Sequence, residues 1–335
     1  MILPPKRFAL LLLLAAPANT ALAQGLLTVI NPGGDRQAAV LSIATGHLSP
    51  LGSPVGGEPV STIGSSETID RTNNRIFLVG TPSGDPTRLF HISTVSGATL
   101  ASPDLSGFGN GVMFQEWDDG EARLIALLSV GPGDRQLASI NTATGVVSTL
   151  GIPIAGEGLS TASTHALDPG GNRFFFVGTP NSGSESLYAI NTANGVEISS
   201  PAISGPVLGV RALAWDAGES LLFGLFSNSI GEAQIGTINI GTGLVTLRGS
   251  PIVAGNFSNY GSALHADANL FYIPGQPAAG SRTIYSIDTT TGLIVDSQLM
   301  SGAANDILAT LFDPGPLFAD GFGSGNLTGW SSSVP

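Results

Sequence analysis

The sequence predicts an all-β fold, a six-bladed β-propeller with four antiparallel strands per blade. Three observations predict it. A short hairpin phrase occurs six times, closing on Gly46, Gly97, Gly145, Gly195, Gly243 and Gly292, about every 49 residues. An aspartate that follows an apolar residue keeps the same beat, at Asp70, Asp118, Asp168, Asp216, Asp267 and Asp313. The segment after residue 24 supplies three strands of a blade, and the segment ending at Asp313 supplies the fourth.

Residues 1–23 read as a secretory signal peptide. Lys6 and Arg7 precede an apolar run, Phe8 to Ala16, and Ala21-Leu22-Ala23 forms a small-x-small cleavage site before Gln24. A membrane span needs about 20 apolar residues, far more than this run provides. The chain contains no cysteine, so a lipid-anchored lipoprotein is excluded. Cleavage after Ala23 predicts a mature chain exported to a periplasm or the medium.

The propeller is expected over residues 24–316. "LLTVI" (26–30), "AAVLSI" (38–43) and "HLSPLG" (47–52) are strands two, three and four of a blade. Each aspartate turn leads into a nearly continuous apolar run, such as "RIFLV" (75–79), "LIALL" (124–128), "FFFV" (174–177) and "LLFGLF" (221–226). Such runs suit strands covered on both faces. Alternating stretches follow, such as "QLASI" (136–140) and "TIYSI" (283–287), with the period of two of a sheet. They end in the repeated phrase, as in "INTATG" (140–145) and "INTANG" (190–195). There Asn, Asp or Ser opens a turn by bonding the backbone ahead, and glycine takes the left-handed conformation. A shorter, more polar fourth strand follows, as in "VVSTL". "NDILATLFD" (305–313) is then a first strand without followers, and pairing it with the N-terminal strands closes the ring.

Composition removes several chemistries. With no cysteine there is neither disulfide nor thiol catalysis, and the single lysine, Lys6, leaves with the signal, which excludes Schiff-base mechanisms. The mature chain carries ten arginines against 24 carboxylates, a net charge near −14 that disfavours nucleic acid and anionic membrane surfaces. The regular aspartates lack the D-x-D-x-D-G loop that calcium requires and read as turn caps. The four histidines fall in separate blades without an H-x-x-x-H pair, and no nucleophile elbow or phosphate loop occurs.

"LYAINTANG" (187–195) and "IYSIDTTTG" (284–292) resemble the phrase common in exported propellers built of YVTN, NHL or PQQ-like repeats. The resemblance covers residues 26–313 and implies architecture rather than chemistry. Six repeats with only three tryptophans in the whole chain speak against a quinone cofactor, and no cofactor is expected. The tail, 317–335, is Gly/Ser-rich and resembles a C-terminal segment carried by many otherwise unrelated exported bacterial proteins. It reads as a flexible appendage.

A ligand is expected at the mouth of the central channel, encircled by the loops that join strand four to strand one and strand two to strand three. The chemically able side chains near those loops are Glu67, His165, Arg211, His265 and Asp306. A metal-dependent hydrolase or lyase of the gluconolactonase kind is the alternative, with Glu67, Asn110, Asn259 and Asp306 as possible ligands. No catalytic constellation is present, so the leading expectation is a non-enzymatic, monomeric binding or scaffold module for a protein, peptide or carbohydrate.

Overall fold

Six sheets, each built around four antiparallel strands, follow one another along the chain in a propeller ring. The computed structural model describes residues 25–32, 35–55, 67–82, 85–155, 157–159, 164–180, 183–229, 232–253, 256–257, 261–276, 281–302 and 307–311. The signal segment, Asn259, Asp306, Asp313 and the tail lie outside them. Blade two comprises Glu67–Asp70, Arg75–Gly80, Arg88–Ser93 and Thr99–Ala101, and blade three Gly111–Asp118, Arg123–Ser129, Arg135–Ile140 and Val147–Ile154. Blade four runs through His165–Asp168, Arg173–Pro180, Ser186–Asn191 and Glu197–Ser199. Blade five holds Gly209–Asp216, Leu221–Ser229, Glu232–Ile238 and Val245–Leu247, and blade six Ala263–His265, Leu270–Gln276, Thr283–Asp288 and Ile294–Leu299. Blade one joins the two ends of the chain. Ile307–Leu311 pairs antiparallel with Gly25–Ile30, Leu311 lying opposite Leu27, and Gln37–Ser42 and His47–Pro50 complete the sheet.

The second strands are buried on both faces because each feeds two inter-blade cores. In blade four, Phe174 and Phe176 pack with Phe114 and Leu127 of blade three, whereas Phe175 packs with Val210 and Leu213 of blade five. Six such apolar clusters alternate with the six blades around the ring, the last pair joining blade six to blade one and blade one to blade two. The third strands are covered more fully than their alternation predicts. Leu89, Phe90, His91 and Ile92 are all buried, since the polar positions also face a neighbouring blade.

The repeated turns have the expected chemistry. Asn141 Oδ1 accepts from the amides of Ala143 and Thr144, and Asp70, Asp118, Asp168 and Asp216 are buried acceptors for the turn amides that follow them. The turn glycine has a second reason to be glycine. Gly145 sits at φ +72, and a β-carbon there would lie 2.1 Å from the Asp104 carbonyl oxygen of the preceding blade. The same close approach recurs at every interface, ending with Gly46 of blade one against Leu299 of blade six. In blade six, His265 occupies the register of the capping aspartates, opposite Leu270 as Asp168 is opposite Arg173. Asp267 therefore belongs to the exposed 3-10 turn Ala266–Ala268 rather than to the aspartate series.

The structural repeat is two blades long. Gln37, Gln136 and Gln234, about 98 residues apart, donate to the carbonyls of Gly52, Gly151 and Gly249 at 2.7, 2.9 and 2.7 Å. These three glycines, in blades one, three and five, abut Gly97, Gly195 and Gly292 of the next blade. At the other three interfaces the partners are Asp104, Ala202 and Leu299.

Candidate functional site in the central channel

The six first strands converge on a channel whose described part borders a half-open cavity of about 320 Å³. Register defines its collar. Thr68, Glu116, Ala166, Ala214, Ala263 and Leu311 occupy equivalent positions, each opposite the third residue of its blade's second strand, and all line the cavity. Four are apolar, one is a hydroxyl, and Glu116 is the one ionisable member. Arg71, Asp119, Pro169 and Ala217, just beyond the strand ends, place the cavity at the aspartate-turn end of the channel. Of the loops that the sequence assigned to the opposite mouth, 56–66, 160–163, 258–260 and 303–306 lie outside the described residues.

Glu116 meets blades two and four at once. Its Oε2 accepts from Thr68 Oγ1 at 3.3 Å, and its Oε1 lies 3.4 Å from His165 Nε2. Thr68 Oγ1 in turn accepts the Trp117 amide at 3.0 Å, which fixes the hydroxyl's direction. The contacts follow from strand alternation. His165 stands one residue before the collar position and reaches back to blade three, where its ring stacks on Phe114 at 4.4 Å. Burial shifts the pair in opposite senses. Desolvation pushes Glu116 up to about 7, against the Thr68 hydrogen bond and the Arg71 charge. Desolvation also pushes His165 down to about 4, against the Gln115 backbone carbonyl. Near neutral pH the imidazole is uncharged, so the 3.4 Å contact is not an ion pair. Asp119 is raised as well, by burial first, while Arg71 and the Trp117 indole pull it down.

Trp215 and Thr310 also line the cavity, but their polar atoms do not face it. Trp215 Nε1 and Thr310 Oγ1 are buried without a hydrogen-bond partner among the described residues, and Thr310 is 2% exposed.

Of the residues singled out from sequence, His165 is part of this constellation. Glu67, one position earlier in register than Thr68, is buried against Arg36 of blade one at 2.5 Å. Arg211 binds Ser227 Oγ within its own blade through Nε. His265 lies at the turn end of its strand, where burial lowers its pKa and Asp267 opposes the shift. Asn110 is exposed, with its amide on the Ser129 carbonyl. Asp306 and Asn259 lie outside the described residues. Among those described, no three His, Asp or Glu side chains come together as metal ligands would, and no helix is long and apolar enough to cross a membrane. Glu116 was missed although it had a signal: it is the one carboxylate inside the apolar run "VMFQEW" (112–117).

No family model matches the chain, and no curated protein matches it in sequence. Solved structures do match. TolB from Acinetobacter baumannii aligns with a TM-score of 0.61 at 12% identity, over 88% of this chain and 67% of that one. A protein from Agrobacterium tumefaciens provisionally named TolB gives 0.54 at 12%, over 86% and 90%. One from Bacteroides fragilis provisionally named a 6-phosphogluconolactonase gives 0.51 at 12%, over 88% and 99%. At these identities the likeness is one of fold, and the chain is a β-propeller similar in architecture to both groups.

Proposed function

We propose that this chain is an exported, non-enzymatic binding propeller that takes a small ligand in its central channel. One observation carries the reading: the six first strands bring a glutamate, two threonines and two tryptophans to a single half-open cavity whose collar, Thr68 and Glu116 apart, is apolar. Mostly apolar walls with a few placed polar groups are the usual make-up of a ligand pocket. The fold does not decide between binding and catalysis, since propellers host both. Filling the channel tests the reading. Ala214→Phe is expected to abolish ligand signals that a small-molecule library gives with the wild-type protein in saturation-transfer NMR. Hits unaffected by the filled channel would overturn it.

A hydrolase or lyase at the same channel is the second reading, favoured by the contact between a carboxyl raised to about 7 and a neutral histidine. Carboxyl and imidazole groups pushed apart in this way are what acid–base catalysis uses. This reading requires turnover that Glu116→Gln removes. In its metal-dependent form, with Glu67, Asn110, Asn259 and Asp306, it also requires stoichiometric metal in the purified protein. Export is tested by the mature N-terminus, expected at Gln24.

A further inference from the structure

We infer that the channel ligand is a protonated primary amine with an apolar body, its ammonium group facing Glu116; this rests on the channel-binding reading above. The polar groups of the cavity lie on one side. In the collar, blades two and three supply Thr68 and Glu116, whereas blades four, five, six and one supply Ala166, Ala214, Ala263 and Leu311. Just past the strand ends the division repeats. Arg71 and Asp119 stand on blades two and three, Pro169 and Ala217 on blades four and five. A cavity with one polar and one apolar side fits an amphipathic ligand, and its half-open form leaves the length of the body free.

Charge then selects the polar end. Among the described residues, two carboxyls, Glu116 and Asp119, line the cavity with one guanidinium, Arg71. No cation is hidden outside the described residues. All ten arginines and four histidines of residues 24–335 are among them, and that segment has no lysine. His165, titrating near 4, adds no positive charge at neutral pH. Burial raises both carboxyls even with Arg71 present, and a bound cation would supply the counter-charge that their ionised forms lack. An anion would instead meet two carboxyls.

Hydrogen bonding agrees. An ionised carboxylate has about four acceptor sites, of which Thr68 takes one at Oε2, while His165 lies near Oε1. An ammonium group brings three donors and no acceptor. The apolar side gives a hydrocarbon body a surface to cover, which a bare metal ion does not have. Protonation supplies a signature. The charged or titratable groups around Glu116 are Arg71 of blade two, Asp119 of its own blade and His165 of blade four, with alanine or leucine at its level on blades four, five, six and one. A cation favours the ionised carboxyl. Below Glu116's value of about 7, binding therefore releases a proton, and affinity rises as pH approaches that value.

The test uses the full mature chain and titration calorimetry at about pH 6, in two buffers of different ionisation enthalpy, so that proton release is counted. The probes are benzylamine and 3-methylbutylamine, set beside benzyl alcohol, 3-methylbutanol, benzoate and ammonium chloride. At least one amine is expected to bind stoichiometrically, to release a proton and to exceed its alcohol in affinity by about tenfold. Glu116→Gln is expected to remove that preference and most of the proton release, and Asp119→Asn to weaken binding to a smaller extent. Thermal denaturation of each variant identifies loss through misfolding, and the comparison of amine with alcohol on the wild-type protein needs no variant. Alcohols or benzoate binding as tightly as the amines, and blocked by Ala214→Phe, would overturn the cationic class and leave the channel reading standing. Ammonium binding as tightly as the amines would remove the apolar body. A preference and a proton release left intact by Glu116→Gln would overturn the assigned carboxyl. No binding by any probe would overturn the inference, and amine binding that survives Ala214→Phe would overturn the channel reading with it.

Discussion

At the scale of single residues, protonation separates the two members of the channel pair. The folded Glu116 holds its proton up to about pH 7, above its ordinary 4.5, so the native state binds more protons than the unfolded chain between those values. Its contribution to stability is present below 4.5 and is lost as pH rises through 7. The folded His165 titrates near 4, below its ordinary 6.5, and its contribution is present above 6.5 and lost as pH falls through 4. Glu116→Gln is therefore expected to gain in melting temperature relative to the wild type between pH 5 and pH 8. His165→Gln is expected to gain as pH falls from 6.5 to 4. Parallel melting curves for variant and wild type across either range would remove the assigned shift. Glu67 belongs to a different kind of site. Its pair with Arg36 is fully enclosed, each side chain 2% exposed, so Glu67→Gln leaves a buried guanidinium without its counter-ion. A loss of about 3–5 kcal/mol is expected by chemical denaturation, with part recovered when Arg36→Met is added. A loss below about 1 kcal/mol, the range of surface pairs, would show the pair to be solvated.

At the scale of elements, the recurring turn is both a local motif and a spacer between blades. Gly145→Ala must place a β-carbon in left-handed backbone, at a cost of about 1–2 kcal/mol, and against the Asp104 carbonyl of the neighbouring blade. Its destabilisation should exceed that local cost. Gly170→Ala is the control, since the nearest atom to its added carbon is 3.7 Å away. Equal urea midpoints for the two variants would show that the close approach carries no weight. The turn-cap reading of the aspartates is also decided at this scale: Asp70, Asp118, Asp168 and Asp216 each accept amides two or three residues ahead, and Asp70 and Asp168 also an arginine five residues on.

At the scale of the whole molecule, stability is a property of closure. Every blade shares its core with two neighbours, so no blade can leave without exposing two apolar faces. The strand 307–311 covers the edge of Gly25–Ile30. Truncation after residue 304 is expected to abolish cooperative unfolding and to cause association, because it uncovers that strand's edge. Truncation after residue 316 should leave the melting temperature unchanged within a few degrees. Circular dichroism and size-exclusion chromatography distinguish these outcomes, and a cooperative monomer from the shorter chain would refute the dependence on that strand.

The chain's own letters determined the number of blades, the order of strands and the chemistry of the turns. Those features rest on local rules: Asn141 bonds amides two and three residues away, and Phe174–Val177 is apolar throughout because its strand is covered on both sides. What only the tertiary structure decided is which polar side chains meet. Glu116, Thr68 and His165 are about 49 residues apart in sequence, and Glu67 finds Arg36 across a different interface. The apolar run around Glu116 marks it as buried, but nothing local says which partner either carboxylate meets. Glu116 stands at the collar, between Thr68 of the preceding blade and His165 of the following one, whereas Glu67 turns to Arg36 of the preceding blade. That one-residue difference in strand register selects opposite faces of the sheet, and it separates a cavity-facing acid from a structural ion pair.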